Sequence, residues 1–259
     1  MKRIHIIGGG NLGKAIAKGI LNYTSQYEVV LTRRNLSKLE FFNHEHLIKT
    51  SDNLFEIDKA DIIILCIKPF QIEQVLASIK PHLNDQIVCS TVSGFSLDQC
   101  ILATENATKA FRIMPNIAAE FAESATCISV KNASEEDKKT VEDLFNQLGT
   151  SIFIDEKLMD SATVLGACGT AYALRYIRAS MQAGIEIGFD ANTALQIASQ
   201  TAKGAAKMAL DENIHPEQLI DRVTTPQGCT IVGLNEMEHQ GFSSALIKGI
   251  KTSLQKINN

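Results

Sequence analysis

Three stretches of this 259-residue chain hold the residue types that chemistry on a phosphorylated ligand needs. The first is Gly8-Gly9-Gly10-Asn11-Leu12-Gly13. In the spacing Gly8-x-Gly10-x-x-Gly13, one glycine serves a tight turn, one lets backbone approach a pyrophosphate, and one packs helix on strand. A helix that begins near Asn11 and Leu12 then aims its free N–H groups and positive dipole end at the phosphates. The second stretch is Thr32-Arg33-Arg34-Asn35. An acidic residue that would bind a ribose 2′-hydroxyl is absent there, and Glu28 lies a strand length away. Two guanidiniums and a hydroxyl suit a 2′-phosphate, so NADPH is expected over NADH. As plain solvated loop charges, the two arginines would look the same. The third stretch, Thr224-Thr225-Pro226-Gln227-Gly228-Cys229-Thr230, precedes a helical run and offers backbone N–H groups and a hydroxyl to an anion such as a carboxylate. A mere capping turn has the same pattern.

The elements that must position these stretches follow from periodicity. Ile4, Ile6 and Ile7 form a compact β-type run, and residues 12–21 an amphipathic helix. Residues 27–31 read as a second strand, 36–42 as a short helix and 47–49 as a weak strand; Asp52-Asn53 caps a further helical stretch. Residues 61–67 are a continuous apolar run of the kind found in parallel strands covered on both faces, followed by a helix over 70–79. The alternation continues with a strand at 86–91, a helix at 97–102 and strands at 109–113, 126–130 and 151–154. Ser134-x-x-Asp137 opens the charged helix between the last two. Strand, crossover and strand in succession predict an α/β fold, a doubly wound parallel sheet. Its ligand lies outside the carboxyl ends of the strands. That geometry selects the glycine turn, Thr32 to Asn35, Asn53, Cys66-Ile67-Lys68-Pro69, Ser93 in the turn 92–94, and Asn116 after Met114-Pro115.

Beyond residue 155 the strand signals stop and the chain reads as helix throughout, which predicts domains 1–155 and 156–259. The helix over 169–187 is apolar on most faces and must be widely buried, inside its own domain or against another chain. Further helices are expected at 191–211, 216–223, 231–239 and 243–256. With 45% hydrophobic residues the chain can bury a substantial core. A net charge of −4 without a basic stretch argues against nucleic acid. No apolar run approaches the roughly 20 residues needed to span a bilayer, and the first strand starts at once, so no membrane and a cytoplasmic location are expected. Cys66, Cys89, Cys100, Cys127, Cys168 and Cys229 are scattered without CxxC pairing. They read as small packing residues in a reducing compartment, and no metal site is expected.

In their order along the chain, the glycine turn, Ile67-Lys68-Pro69, Met114-Pro115-Asn116, Gly169-Thr170-Ala171-Tyr172 and the run 215–231 resemble the pyrroline-5-carboxylate reductases, over nearly the whole length. The resemblance implies an N-terminal Rossmann domain that binds NADP and a C-terminal all-helical dimerisation domain. It further implies reduction of the C=N bond of 1-pyrroline-5-carboxylate to L-proline, the last step of proline biosynthesis. The helix near Tyr172 would interlock with a second chain, giving a homodimer or a higher oligomer of dimers, with helices of the partner contributing to the site. Position by position, Thr230 matches the threonine placed to hydrogen-bond the ring nitrogen, and is the catalytic candidate. Gly228 and Cys229 match the backbone amides that hold the substrate carboxylate, with Thr225 in the same loop. Arg33, Arg34 and Asn53 match the 2′-phosphate end of the cofactor site, and Asn116 lies near the nicotinamide.

This chain departs from the family pattern where Ser-Gly-Ser-Gly-Pro-Ala-Tyr becomes Gly166-Ala167-Cys168-Gly169-Thr170-Ala171-Tyr172, and Pro-Gly-Gly-Thr-Thr becomes Pro226-Gln227-Gly228-Cys229-Thr230. Ile117-Ala118 also replaces a Thr-Pro. Substrate range is therefore less constrained than the reaction. The alternatives are an NADPH-dependent reductase of another cyclic imine and a non-catalytic NADP-binding regulator. A β-hydroxyacid dehydrogenase is disfavoured because residues 166–188 contain no lysine to serve as acid/base.

Overall fold

Runs of β-branched residues become strands where both faces can be covered. In the computed structural model, which describes residues 1–40, 42–105 and 108–258, eight strands form one sheet. They are β1 (Lys2–Ile7), β2 (Tyr27–Thr32), β3 (Leu47–Thr50), β4 (Ile62–Leu65), β5 (Ile87–Ser90), β6 (Lys109–Met114), β7 (Ser124–Lys131) and β8 (Gly149–Phe153), in the order β3-β2-β1-β4-β5-β6-β7-β8. Between them run α1 (Asn11–Tyr23), α2 (Ile72–Ile79), α3 (Leu97–Ala103) and α4 (Glu135–Asn146). The chain leaves β1 to one side through β2 and β3 and returns to the other through β4. The crevice for a ligand opens at that switch point, above β1 and β4.

Two cores flank the sheet. Ile4, Ile6, Val29, Phe111 and Phe145 pack with Ile16 and Ile20 on one face, and Ile7, Ile63, Leu65 and Val88 pack with Leu76, Ile79 and Cys100 on the other. All of β4 is buried, which explains its unbroken apolar sequence. Each isoleucine or leucine enclosed in this way contributes about 1.5–3 kcal/mol. Burial also pushes the Cys100 thiol up to about 12. His5, in β1, is 0% exposed, and neither ring nitrogen has a hydrogen-bond partner among the described residues. Burial holds it neutral, down to a pKa of about 4.

One pair of strands departs from the parallel arrangement of the rest of the doubly wound sheet. β7 runs antiparallel to β6, whereas the other pairs are parallel. Only a single 3-10 turn, Ile117–Phe121, connects β6 to β7, too short for the helical crossover that parallel strands require. The expected helix at 36–42 is likewise a 3-10 turn, Leu36–Leu39, with Asn35 accepting the Ser37 amide; Phe41 lies outside the described residues. The stretch after Asp52-Asn53 holds a short 3-10 turn, Ile57–Lys59. The Ser134–Asp137 capping box forms as its sequence suggests.

The compact units divide at Met1–Cys168 and Gly169–Asn259, later than residue 155. A short helix, α5 (Met159–Ala162), and a π-turn, Thr163–Cys168, bury Met159 and Val164 in the first unit. The second unit holds α6 (Gly169–Glu186), α7 (Ala191–Glu212), α8 (Pro216–Arg222), α9 (Cys229–His239) and α10 (Phe242–Asn258). Asp190 caps α7 by accepting the amides of Asn192 and Thr193 at 3.0 and 3.1 Å. In α6 no residue is fully buried within this chain, so α7 and α10 cover its apolar faces only in part. No helix among the described residues is long and apolar enough to cross a membrane.

Candidate active site

Gly8 closes β1 with φ +112°, and a Cβ there would lie 2.2 Å from the Cys66 carbonyl oxygen. At Gly13 a Cβ would come within 2.1 Å of the Gly8 carbonyl oxygen, so the first turn of α1 can press onto the glycine loop only without a side chain. Gly10 differs, because nothing stands within 4 Å of its missing Cβ and the space opens into the crevice. As N-cap of α1 it supplies no side-chain acceptor. The first amides of the helix, on Asn11, Leu12 and Gly13, therefore lack the partner that a serine or aspartate would give. An anion can take that place.

Around this helix end lies a cleft of about 1030 Å³. It gathers Gly8, Gly10, Asn11, Leu12, Thr32, Arg33, Arg34, Asn53, Cys66, Ile67, Lys68, Pro69 and Ser93 from five separate loops. Gly13 is buried one layer below. Burial pushes the Cys66 thiol up to about 12, which keeps it un-ionised in the wall of the cleft. Thr32 does not offer its hydroxyl to a phosphate as expected. The side chain is 1% exposed, accepts the Gly8 amide at 3.3 Å and donates to the Ile6 carbonyl at 3.4 Å, pinning the glycine loop to β2. The Arg33 Nη1 donates to the Gly9 carbonyl, while Arg34 is exposed. The two arginines are thus not equivalent. Sequence reasoning missed one wall, the face of α2 and its lead-in that carries Gln71, Gln74, Val75 and Ser78. Their spacing of three, four and seven is a helical stripe, so the signal was present.

Asn116 is placed differently from the expectation of a nicotinamide contact. It is 9% exposed and does not line the cleft. Its amide donates to Ser124 Oγ at 3.0 Å, its Oδ1 accepts the Ala118 amide at 2.9 Å, and its Nδ2 donates to the Gly166 carbonyl at 3.3 Å. These bonds make it a clasp between the end of β6 and the π-turn. A second hollow, of about 490 Å³, sits at the other ends of the strands, where Lys109 pairs with Asp85 and Asp137. It lies away from the carboxyl ends where such sheets bind ligands.

In the second unit the loop before α9 folds as a turn, with the Gly228 amide donating to the Thr225 carbonyl at 2.9 Å. That amide is already engaged, which corrects its assignment to a carboxylate. Gly228 is the N-cap of α9 and has no side-chain acceptor, so Cys229 and Thr230 occupy the first two helical positions with amides open to an anion. Thr225, Cys229 and Thr230 are all exposed. A side chain on Gly228 would meet Thr225 Oγ1 at 2.5 Å.

Residues 156–259 match the family described as pyrroline-5-carboxylate reductase dimerisation, and residues 3–94 match NADP oxidoreductase coenzyme F420-dependent. Pyrroline-5-carboxylate reductase 2 of Dictyostelium discoideum is 45% identical, over 98% of this chain and 92% of its own length. The chain belongs to the pyrroline-5-carboxylate reductase family. Pyrroline-5-carboxylate reductase 1 of the same organism is 43% identical over 98% of this chain, which spans 49% of that relative's length. A crystal structure of Plasmodium falciparum pyrroline carboxylate reductase with NADP bound superposes with a TM-score of 0.88 at 27% identity, covering 99% of this chain and 97% of the other. As a member of the family this chain has a Rossmann-type sheet, whose first part matches the NADP oxidoreductase model, and a helical dimerisation domain. The open Gly10, the uncapped α1 and the exposed Arg34 fit NADP.

Proposed function

We propose that this chain reduces the C=N bond of 1-pyrroline-5-carboxylate to L-proline, with Thr230 as the group that hydrogen-bonds the ring nitrogen. When bound, NADPH supplies the hydride. The chain's own residues bind and orient. The amides of Asn11, Leu12 and Gly13 hold the pyrophosphate at the N-terminus of α1, within the loop formed by Gly8 and Gly10. Arg34 meets the 2′-phosphate, with Asn53 beside it, and Cys66, Ile67, Lys68, Pro69 and Ser93 form the walls. Arg33 and Thr32 keep the glycine loop in shape.

At the other unit the amides of Cys229 and Thr230 receive the carboxylate, and Gly228 and Thr225 set the turn that presents them. A hydrogen bond from Thr230 to the ring nitrogen raises the electrophilicity of the imine carbon, and fixing carboxylate and nitrogen together orients that carbon. The proton on nitrogen comes with the substrate or from water. The protein works in the cytoplasm as a homodimer or an oligomer of dimers, with neither nucleic acid nor a membrane as partner.

The observation that carries this reading is the uncapped helix end beneath the open Gly10, beside an exposed arginine where NAD enzymes keep an acid. The test follows NADPH absorbance as the protein meets 1-pyrroline-5-carboxylate, with NADH in parallel and proline identified as product. Oxidation favouring NADPH is expected. Arg34→Ala should weaken NADPH roughly tenfold while leaving NADH nearly unchanged, the scale of one charge-assisted hydrogen bond. Thr230→Ala should lower kcat and keep NADPH binding. NADPH bound without being consumed would overturn the assignment at the substrate loop.

A further inference from the structure

Arg112, in β6, presents a buried guanidinium, 7% exposed, to two carboxylates. Asp160 of α5 lies 2.7 Å from Nη2, and Glu156 lies 3.7 Å from Nη1. Glu156 is also held by the amide of Leu97, the first residue of α3, at 2.7 Å. That amide stands just past the loop that puts Ser93 on the cleft wall. Beyond the end of the same strand, the clasp from Asn116 to the Gly166 carbonyl grips the π-turn. Residues 156–168 are therefore fastened to β6 at two points, and one of those points is also tied to the start of α3, four residues after Ser93 on the cleft wall.

Stability alone is a poor reason for this arrangement. An arginine withdrawn from water costs several kcal/mol before its partners return anything, and apolar side chains of similar volume often do as well or better. Here Nε is buried with no hydrogen-bond partner among the described residues, so the group is not fully satisfied either. What a guanidinium between two carboxylates does well is set direction, because its planar fork fixes where both acids stand. The segment it fixes buries few apolar side chains of its own, chiefly Met159 and Val164.

We propose that Arg112 is a positioning residue for the reduction. Through Glu156 and Asp160 it fixes the segment that leads into α6 and steadies the Ser93 side of the cleft, without touching substrate or cofactor. The inference rests on the reductase reading above. A loosened clamp leaves the phosphate-binding loops intact but lets the Ser93 wall of the cleft shift, so that the bound cofactor is less often held in the orientation that delivers hydride, a loss seen in kcat.

The experiment compares full-length wild type, Arg112→Met and Arg112→Lys, measuring NADPH binding by fluorescence and steady-state reduction of 1-pyrroline-5-carboxylate. Arg112→Met is expected to lose roughly ten- to a hundredfold in kcat, the scale of a misalignment near 1 Å. Its NADPH Kd should stay within about twofold, as for a change outside the binding loops. Arg112→Lys should recover part of kcat, since an ammonium reaches one carboxylate but not both. Should the methionine variant not fold, Asp160→Asn on the part-exposed side should show the same split between kcat and Kd with a smaller loss. An active wild type with unchanged kcat in the variants would overturn the proposal alone. So would parallel losses of kcat, NADPH affinity and melting temperature with lysine no better than methionine, the pattern of a plain stabilising contact. A wild type that binds NADPH and never oxidises it would sink the reductase reading, and this proposal with it.

Discussion

The two units treat the same kind of apolar residue in opposite ways. In Met1–Cys168 the isoleucines of β1 and β4, with Phe111 and Phe145, are sealed within the same unit. In Gly169–Asn259 only Ala194, Ala198 and Leu219 are buried hydrophobics among the described residues, while Leu174, Tyr176, Ile185, Ile187, Phe189 and Val232 stand exposed. A monomeric domain rarely leaves so much apolar surface in water. The first unit thus encloses a core of its own, although Phe70, Leu102, Phe121 and Leu165 stay exposed, whereas the second buries almost none and leaves its apolar side chains for a surface it does not contain, as befits a dimerisation domain.

The sharpest way to break this contrast is to place one charge on each unit. Leu174→Asp, on α6, should cost about 3–5 kcal/mol of assembly by burying an unpaired carboxylate in an apolar contact, read as dissociation in sedimentation equilibrium. Leu102→Asp, at an exposed leucine of the first unit, should change stability by no more than about 0.5 kcal/mol. Equal effects at the two positions would erase the distinction.

Next in size is an acid dependence confined to the first unit's core. Burial brings His5 from its ordinary 6.5 down to about 4; Arg3 lowers it further and Asp52 opposes. Between those values the unfolded chain takes up a proton that the folded chain refuses. Stability is therefore whole above pH 6.5 and declines as pH falls toward 4, by up to about 3 kcal/mol. Denaturant titrations of wild type and His5→Val at several pH values should show the slope flatten in the variant; an unchanged slope would place the loss in other groups.

The smallest effect concerns a glycine. Gly204 lies within α7, where nothing stands within 4 Å of an added Cβ. Gly204→Ala should gain about 1 kcal/mol of helix stability, seen as a higher Tm. A lower Tm would show that a partner's backbone approaches there, and would map that face.

What could be read from the sequence was local. The glycine turn, the β-branched runs, the Ser134–Asp137 cap and the apolar helical tail each carry their cause within a few residues, as φ freedom, period 2, period 3.6 or a capping side chain. The loops that line the cleft were also legible, because a doubly wound sheet brings strand ends to one edge by rule. The direction of β7, the inward turn of the Thr32 hydroxyl, the engaged Gly228 amide and the bond from Asn116 to Gly166 were not. Nor was the clamp of Arg112 on Glu156 and Asp160, in which the arginine stands more than forty positions from either acid with no periodic signal to link them. Such contacts depend on which groups the folded sheet brings together and how much water remains around them, and only the tertiary structure decides that.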